Sequence, residues 1–142
     1  RYKIAVVDFQ AGAGITQVDV DGMCAMLVTY MKNPKWILVE REQLNEVIKE
    51  QGFQRTFLTQ REMVKIGQIL NLTSLVVGDV TYIRGEYNID VRIVSAETGR
   101  VYATAGRTWS TGTTLRSNMQ ALAAELAAQV KSPKAPVPKF EY

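Results

Sequence analysis

Three carboxylates, Asp8, Glu40 and Asp79, stand at or near the ends of the apolar runs Ile4–Phe9, Trp36–Glu40 and Leu75–Val80. Parallel strands bring such ends together, and carboxylates gathered there can bind a cation or move a proton. The same residues can instead cap helices or pair with Arg41 or a neighbouring lysine, and no coordination spacing in the chain supports a metal. Asp79 needs a partner if its strand is buried.

Ala11-Gly12-Ala13-Gly14 follows the first run, where a phosphate-cradling loop would sit. The chain has no G-x-x-x-x-G-K-[ST], and the third glycine of a dinucleotide fingerprint is replaced by Gln17. Gly12 and Gly14 are thus either a ligand loop for a small molecule or nucleotide, or a flexible connection. Cys24 is the single cysteine, flanked by Met23 and Ala25 on an apolar helical face. With no histidine in the chain to activate it, it reads as a buried inert thiol. The missing histidine also removes serine and cysteine triads and the common zinc sites. No catalytic residue, metal ligand or cofactor is expected, and the chain reads as non-enzymatic.

A different chemistry is offered by Glu86–Ala96, where Tyr87, Ile89, Val91 and Ile93 alternate with Asn88, Asp90 and Arg92. A period of two with one polar side predicts a strand with one face open to water. Asp90 and Arg92, with Tyr102 from the next strand, are the candidate binding residues of that exposed face. Tyr82, Tyr87, Tyr102 and Trp109 cluster in the same region, either as a binding surface or as cross-strand packing pairs.

The elements that must position these residues follow from periodicity. Ile4–Phe9 predicts a strand covered on both faces. A helix follows from about Asp19 or Asp21 to Met31, with Val20, Met23, Cys24, Leu27 and Met31 on one face, ended by Asn33-Pro34. Trp36–Glu40 is the next strand, and Arg41–Gln51 a helix stopped at Gly52. Thr59-Gln60-Arg61-Glu62 has the form of a capping box opening a helix that buries Met63, Ile66, Gly67 and Leu70. Thr73–Arg84, Glu86–Ala96 and Arg100–Ser110 form a meander, the second turn placing Gly99 in the left-handed region. Thr114 could cap a last helix carrying Leu115, Met119, Leu122 and Leu126. The order βαβααβββα predicts an α/β (α+β) fold, a single mixed sheet of about five strands with helices packed on it.

The chain of 142 residues is long enough to bury one core. Its net charge is +3, but Lys32, Lys35, Lys131 and Lys134 lie in short segments, so the body is near neutral. That argues against nucleic acid as a partner. No apolar run reaches transmembrane length. The chain starts at Arg1 directly before a strand, as a trimmed piece would, so a leader cannot be judged from it. Residues 1–131 are expected to form one domain. Residues 132–142, with Pro133, Pro136 and Pro138 among lysines, are expected to be an extended tail that packs only if a partner holds it.

Taken in order, several of these segments resemble the CsgG family, the curli assembly and transport components and related outer-membrane lipoproteins. The resemblance is carried by Ile4–Phe9, Leu38-Val39-Glu40-Arg41 with Gln43-Leu44, Glu50-Gln51, Ile66-Gly67 and Leu75-Val76-Val77-Gly78-Asp79-Val80. It continues through Val91-Arg92-Ile93-Val94 and Thr98-Gly99-Arg100-Val101. The chain is also similar to penicillin-binding-protein activator lipoproteins and the TolB N-terminal domain. This resemblance implies a periplasmic, outer-membrane-associated domain of a Gram-negative bacterium that binds or assembles envelope proteins. Its membrane contact would be only a lipid anchor upstream of Arg1. A homo-oligomeric ring is a further implied state. Secreting members insert long membrane hairpins in the meander and before the last helix, and each hairpin needs roughly twenty residues plus a turn. Here Ile83-Arg84-Gly85-Glu86 closes the first turn, and only Ser110–Thr114 lie between Trp109 and Leu115. By resemblance the chain is therefore the family domain without the pore.

Overall fold

A computed structural model describes residues 2–110 and 114–130. The expected tail, and part of the segment between Trp109 and Leu115, lie outside the described residues. The elements are β1 (Tyr2–Val6), β2 (Gln10–Ala11), α1 (Gln17–Tyr30), β3 (Trp36–Leu38), α2 (Arg41–Glu50) and α3 (Gln60–Leu70). They are followed by β4 (Ser74–Ile83), β5 (Glu86–Ser95), β6 (Val101–Ser110) and α4 (Leu115–Gln129). One mixed sheet runs β3-β1-β4-β5-β6, with β2 alongside β4. β1 is parallel to β3 and β4, and the meander is antiparallel. The predicted element order and sheet class hold.

The helices form two layers. Val20, Met23, Cys24 and Leu27 of α1 and Met119, Leu122 and Leu126 of α4 pack with Ile4, Val76, Val80, Ile89, Val91 and Ile93. On the other face, Leu44 and Ile48 of α2 and Met63, Ile66 and Leu70 of α3 pack with Ala5, Val7, Leu75 and Val94. Alternation along each strand feeds both cores, so β1 and the first half of β4 are buried on both sides. The second layer covers only part of its face: Asp79, Asn88, Asp90, Arg92, Thr104 and Thr108, beyond α2 and α3, are exposed or half-exposed.

Several boundaries differ from the sequence reading. α1 begins at Gln17 because the Thr16 side chain accepts from Asp19 N–H, capping the helix a turn early. β3 keeps only three residues, although Val39 N–H still donates to Ile4 O at 2.9 Å, and Glu40 is the N-cap of α2. β2 falls in the connection after Ile4–Phe9, where no strand is expected. It pairs Gln10 with Asp79 and Ala11 with Val80, while β1 ends at Val6 opposite Val76, so the register slips by one residue between them. That slip interrupts the alternation at Asp8 and lets Phe9 bury fully.

The capping box forms as expected. Thr59 accepts from Glu62 N–H at 3.2 Å, and Glu62 accepts from Thr59 N–H at 2.9 Å. Thr59→Ala removes the hydroxyl half and should lower stability by about 1 kcal/mol. A two-state urea titration checks this; a change near zero would mean that the cap adds nothing to α3.

Candidate functional site

Where β1 gives way to β2, the slip leaves Asp8 2% exposed. Its carboxylate collects donors from elements far apart in the chain. Arg41 Nε donates to Oδ1 at 2.9 Å, and Asn45 Nδ2 and Arg55 Nη1 donate to Oδ2 at 2.9 and 2.8 Å. Arg55 then grips Asp21 of α1 with both terminal nitrogens, each at 3.0 Å. Gln17 completes the chain of bonds. Its Nε2 donates to Asp21 Oδ1 at 2.9 Å and to Phe9 O at 2.7 Å, and its Oε1 accepts from Ala11 N–H at 3.0 Å. Asn45 Oδ1 is buried with no hydrogen-bond partner among the described residues.

The electrostatics are those of a self-neutralised network of two carboxylates and two guanidiniums. Burial raises the Asp21 pKa, but hydrogen bonds from Arg55 and Gln17 and the charges of Arg55 and Arg41 outweigh it, leaving the carboxyl below its usual range. The hydrogen bond to Asp8 raises Arg41, and the one to Asp21 raises Arg55. Every charge has a counter-charge, so the network ties the end of β1 to α1, α2 and the α2–α3 connection. Its chemistry is that of a clamp, since no member is left as a free acid or base.

The three sequence-picked carboxylates do not meet. Asp8 takes the ion-pairing role with Arg41 that the sequence allowed. Glu40 is the N-cap position of α2, where its side chain makes no cap hydrogen bond. Asp79 lies on the open sheet face, with Arg92 Nη1 3.6 Å away. Among the described residues no three acidic or cysteine side chains are placed to hold a metal ion. Cys24 is buried, and burial pushes its thiol up to about 11.

The glycine loop is used as structure. Gly12 N–H donates to Val80 O, and Tyr82 N–H to Ala13 O, at 2.8 and 2.9 Å. Gly14 has φ +78°, and a Cβ there would lie 1.9 Å from Tyr82 O. The segment that was to cradle a ligand through Gly12 and Gly14 is thus stitched along β4, with the Gly12 amide already spent.

Asp90 and Arg92 share the open face as expected, with Asp90 opposite both Asp79 and Gly106 in register. Tyr102 does not join them. The β5–β6 register shifts between Ile93 and Val94, and beside that irregularity the Tyr102 ring packs against the α1/α4 core, its hydroxyl 2.8 Å from the buried Ser74 Oγ. A bulge there resets the alternation along β6. The other aromatics resolve as packing: Tyr87 stacks on Trp109 at 5.3 Å and meets Tyr82 at 4.5 Å.

Sequence reasoning missed Gln17, Asp21, Asn45 and Arg55 as members of the network around Asp8. The available signal was a lone acid in an apolar run, which requires a buried counter-charge. These members are 9 to 47 residues away, and spacing cannot find them.

No curated protein sequence matches the chain. Solved structures do. GNA1162, a lipoprotein of Neisseria meningitidis, aligns with a TM-score of 0.69 at 14% identity, over 92% of this chain and 100% of that one. The LpoB C-terminal domain from Escherichia coli aligns at 0.62 and 11% identity, over 78% and 83%. TolB from Acinetobacter baumannii aligns at 0.57 and 10% identity, over 90% of this chain and 28% of that one. At these identities the shared property is the fold. The sequence model of the curli production assembly/transport component CsgG matches residues 1–87, more than half of the chain. The protein belongs to the CsgG family.

Proposed function

We propose that this domain is a non-enzymatic module of the bacterial cell envelope. It works in the periplasm, is tethered to the outer membrane through a lipid anchor upstream of Arg1, and binds another envelope protein. Membership of the CsgG family carries this reading, and the likeness in fold to the lipoprotein GNA1162 and to LpoB agrees with it. Residues 1–131 act as the binding domain and 132–142 as its tail. No described helix is long and apolar enough to cross a membrane.

The β4–β5 connection supports a role without a pore. Arg84 and Gly85, at φ 52° and 79°, close it as a two-residue turn. A membrane hairpin would need many more residues at this place.

The partner docks on the face of β4, β5 and β6 that α2 and α3 leave uncovered, where Asp90 and Arg92 supply the charged contacts. Charges at the rim of an interface steer association and set specificity. The test is capture of a partner from native envelope extract by the immobilised domain. Asp90→Lys with Arg92→Glu should reduce the recovered amount at least about tenfold, as expected for like-charge contacts in an interface. Equal recovery by the double variant would exclude this face.

A further inference from the structure

β1 and β3 are adjacent parallel strands whose chains leave for opposite faces of the sheet: α1 packs on one, α2 on the other. Where two such connections diverge, a crevice opens beyond the C-terminal ends of the strands, the general place for ligands in open sheets of this kind. A cavity of about 440 Å³ starts there, at Asp8, Glu40 and Arg41, and runs back between α1 and β3 to Lys32, Asn33 and Trp36, within the size range of small-molecule sites. It is separate from the glycine loop, which β4 occupies.

The lining has two characters. Val28, Trp36 and Leu38 give it an apolar wall, and Lys32 and Arg41 are exposed cations on its border. Asp8 and Glu40 also line it. The Asp8 charge is taken up by Arg41, Arg55 and Asn45. Arg41 spends Nε and one terminal nitrogen on the network, which leaves Nη1 without a partner among the described residues. Glu40 makes no side-chain cap bond, so the first-turn amides of α2 beside Arg41 keep their donors free. Lys32 stands at the far end, before Trp36; an apolar wall with the Arg41 and α2 donors at the other end suits a ligand with an apolar body and one anionic head. The carboxylates of Asp8 and Glu40 disfavour a doubly charged head.

We propose that this cavity is a binding site for a small apolar monocarboxylate, its body against Val28, Trp36 and Leu38 and its head at Arg41 and the start of α2. This site is independent of the sheet face assigned to a protein partner.

Trp36 lines the cavity and reports its occupancy. Octanoate is the probe, with octanol as the uncharged and acetate as the tail-less control, read by Trp36 emission in a Trp109→Phe background. Should that variant fail to fold, the thermal midpoint of the unaltered chain reads the same three arms. Octanoate is expected to bind saturably, and octanol and acetate not at the same concentrations. Arg41→Gln removes the charged donor while Asn45 and Arg55 still hold Asp8, and should raise Kd about tenfold. Ala25→Phe, which fills the cavity border from α1, should abolish binding while far-UV circular dichroism stays unchanged. The proposal is overturned if octanoate gives no saturable response, if octanol reproduces it, or if Kd is unchanged in either variant.

Discussion

Replacing Asp8 with alanine is expected to destabilise the protein by about 3 kcal/mol, the scale for breaking a buried ion pair from one side. The residue is almost fully buried, and three side chains donate to it from α2 and the α2–α3 connection. Removal leaves Arg41, Arg55 and Asn45 facing a void, with only Asp21 to balance two guanidiniums. The loss falls at the lower end of the scale because Arg41 and Arg55 remain 45% and 40% exposed and can turn to water. Urea unfolding should show the midpoint fall with little change in slope. A loss below about 1 kcal/mol would place the network among surface ion pairs.

Asp21 gives the network a pH signature. Its folded pKa lies below the ordinary carboxylate range, so the folded state binds this proton less readily than the unfolded chain. Its stabilisation is complete above the unfolded value and is lost as pH falls through the folded one. Asp21→Asn should therefore flatten the acid limb of the stability curve below about pH 4 and leave the neutral plateau lower.

Gly14→Ala carries the second large effect. The residue sits at φ +78°, and the new Cβ would lie 1.9 Å from a backbone oxygen of β4. Neither atom can move without displacing the loop that β2 and Gln17 hold in place. Left-handed strain and overpacking together should cost about 3 kcal/mol. Gly85→Ala is the control: φ is +79° and nothing lies within 4 Å, so only the conformational cost of about 1 kcal/mol applies. Equal losses at the two sites, measured by thermal or urea unfolding, would mean that the contact with Tyr82 does not matter.

The chain spells out its elements where local rules decide them. Periodicity places the buried faces of α1 and α3, Thr59 and Glu62 announce the start of α3, and Gly99 marks the β5–β6 turn with φ 71°. Non-local geometry was not legible. β2 exists only because Gln10 and Ala11 find Asp79 and Val80, about seventy residues on. Tyr102 is assigned to the open face only as a residue of the strand next to Asp90 and Arg92, and a register shift that no composition marks turns it to the other face. Asp8 shows both sides: its pairing with Arg41 was readable as an option, while Arg55 and Asn45 are brought to it only by the packing of α2 and α3. The resemblance to the CsgG family came from the order of many weak segments, and the family match over residues 1–87 confirms it.

The central claim is that the uncovered face of β4, β5 and β6 binds an envelope protein. Its most direct test is quantitative capture from native envelope extract by three forms of the domain: unaltered, Asp90→Lys with Arg92→Glu, and Lys65→Glu on the exposed side of α3. One saturable partner is expected, retained by Lys65→Glu and reduced at least about tenfold by the double reversal. A partner held equally by all three forms, one lost equally from both variants, or no saturable partner would contradict it.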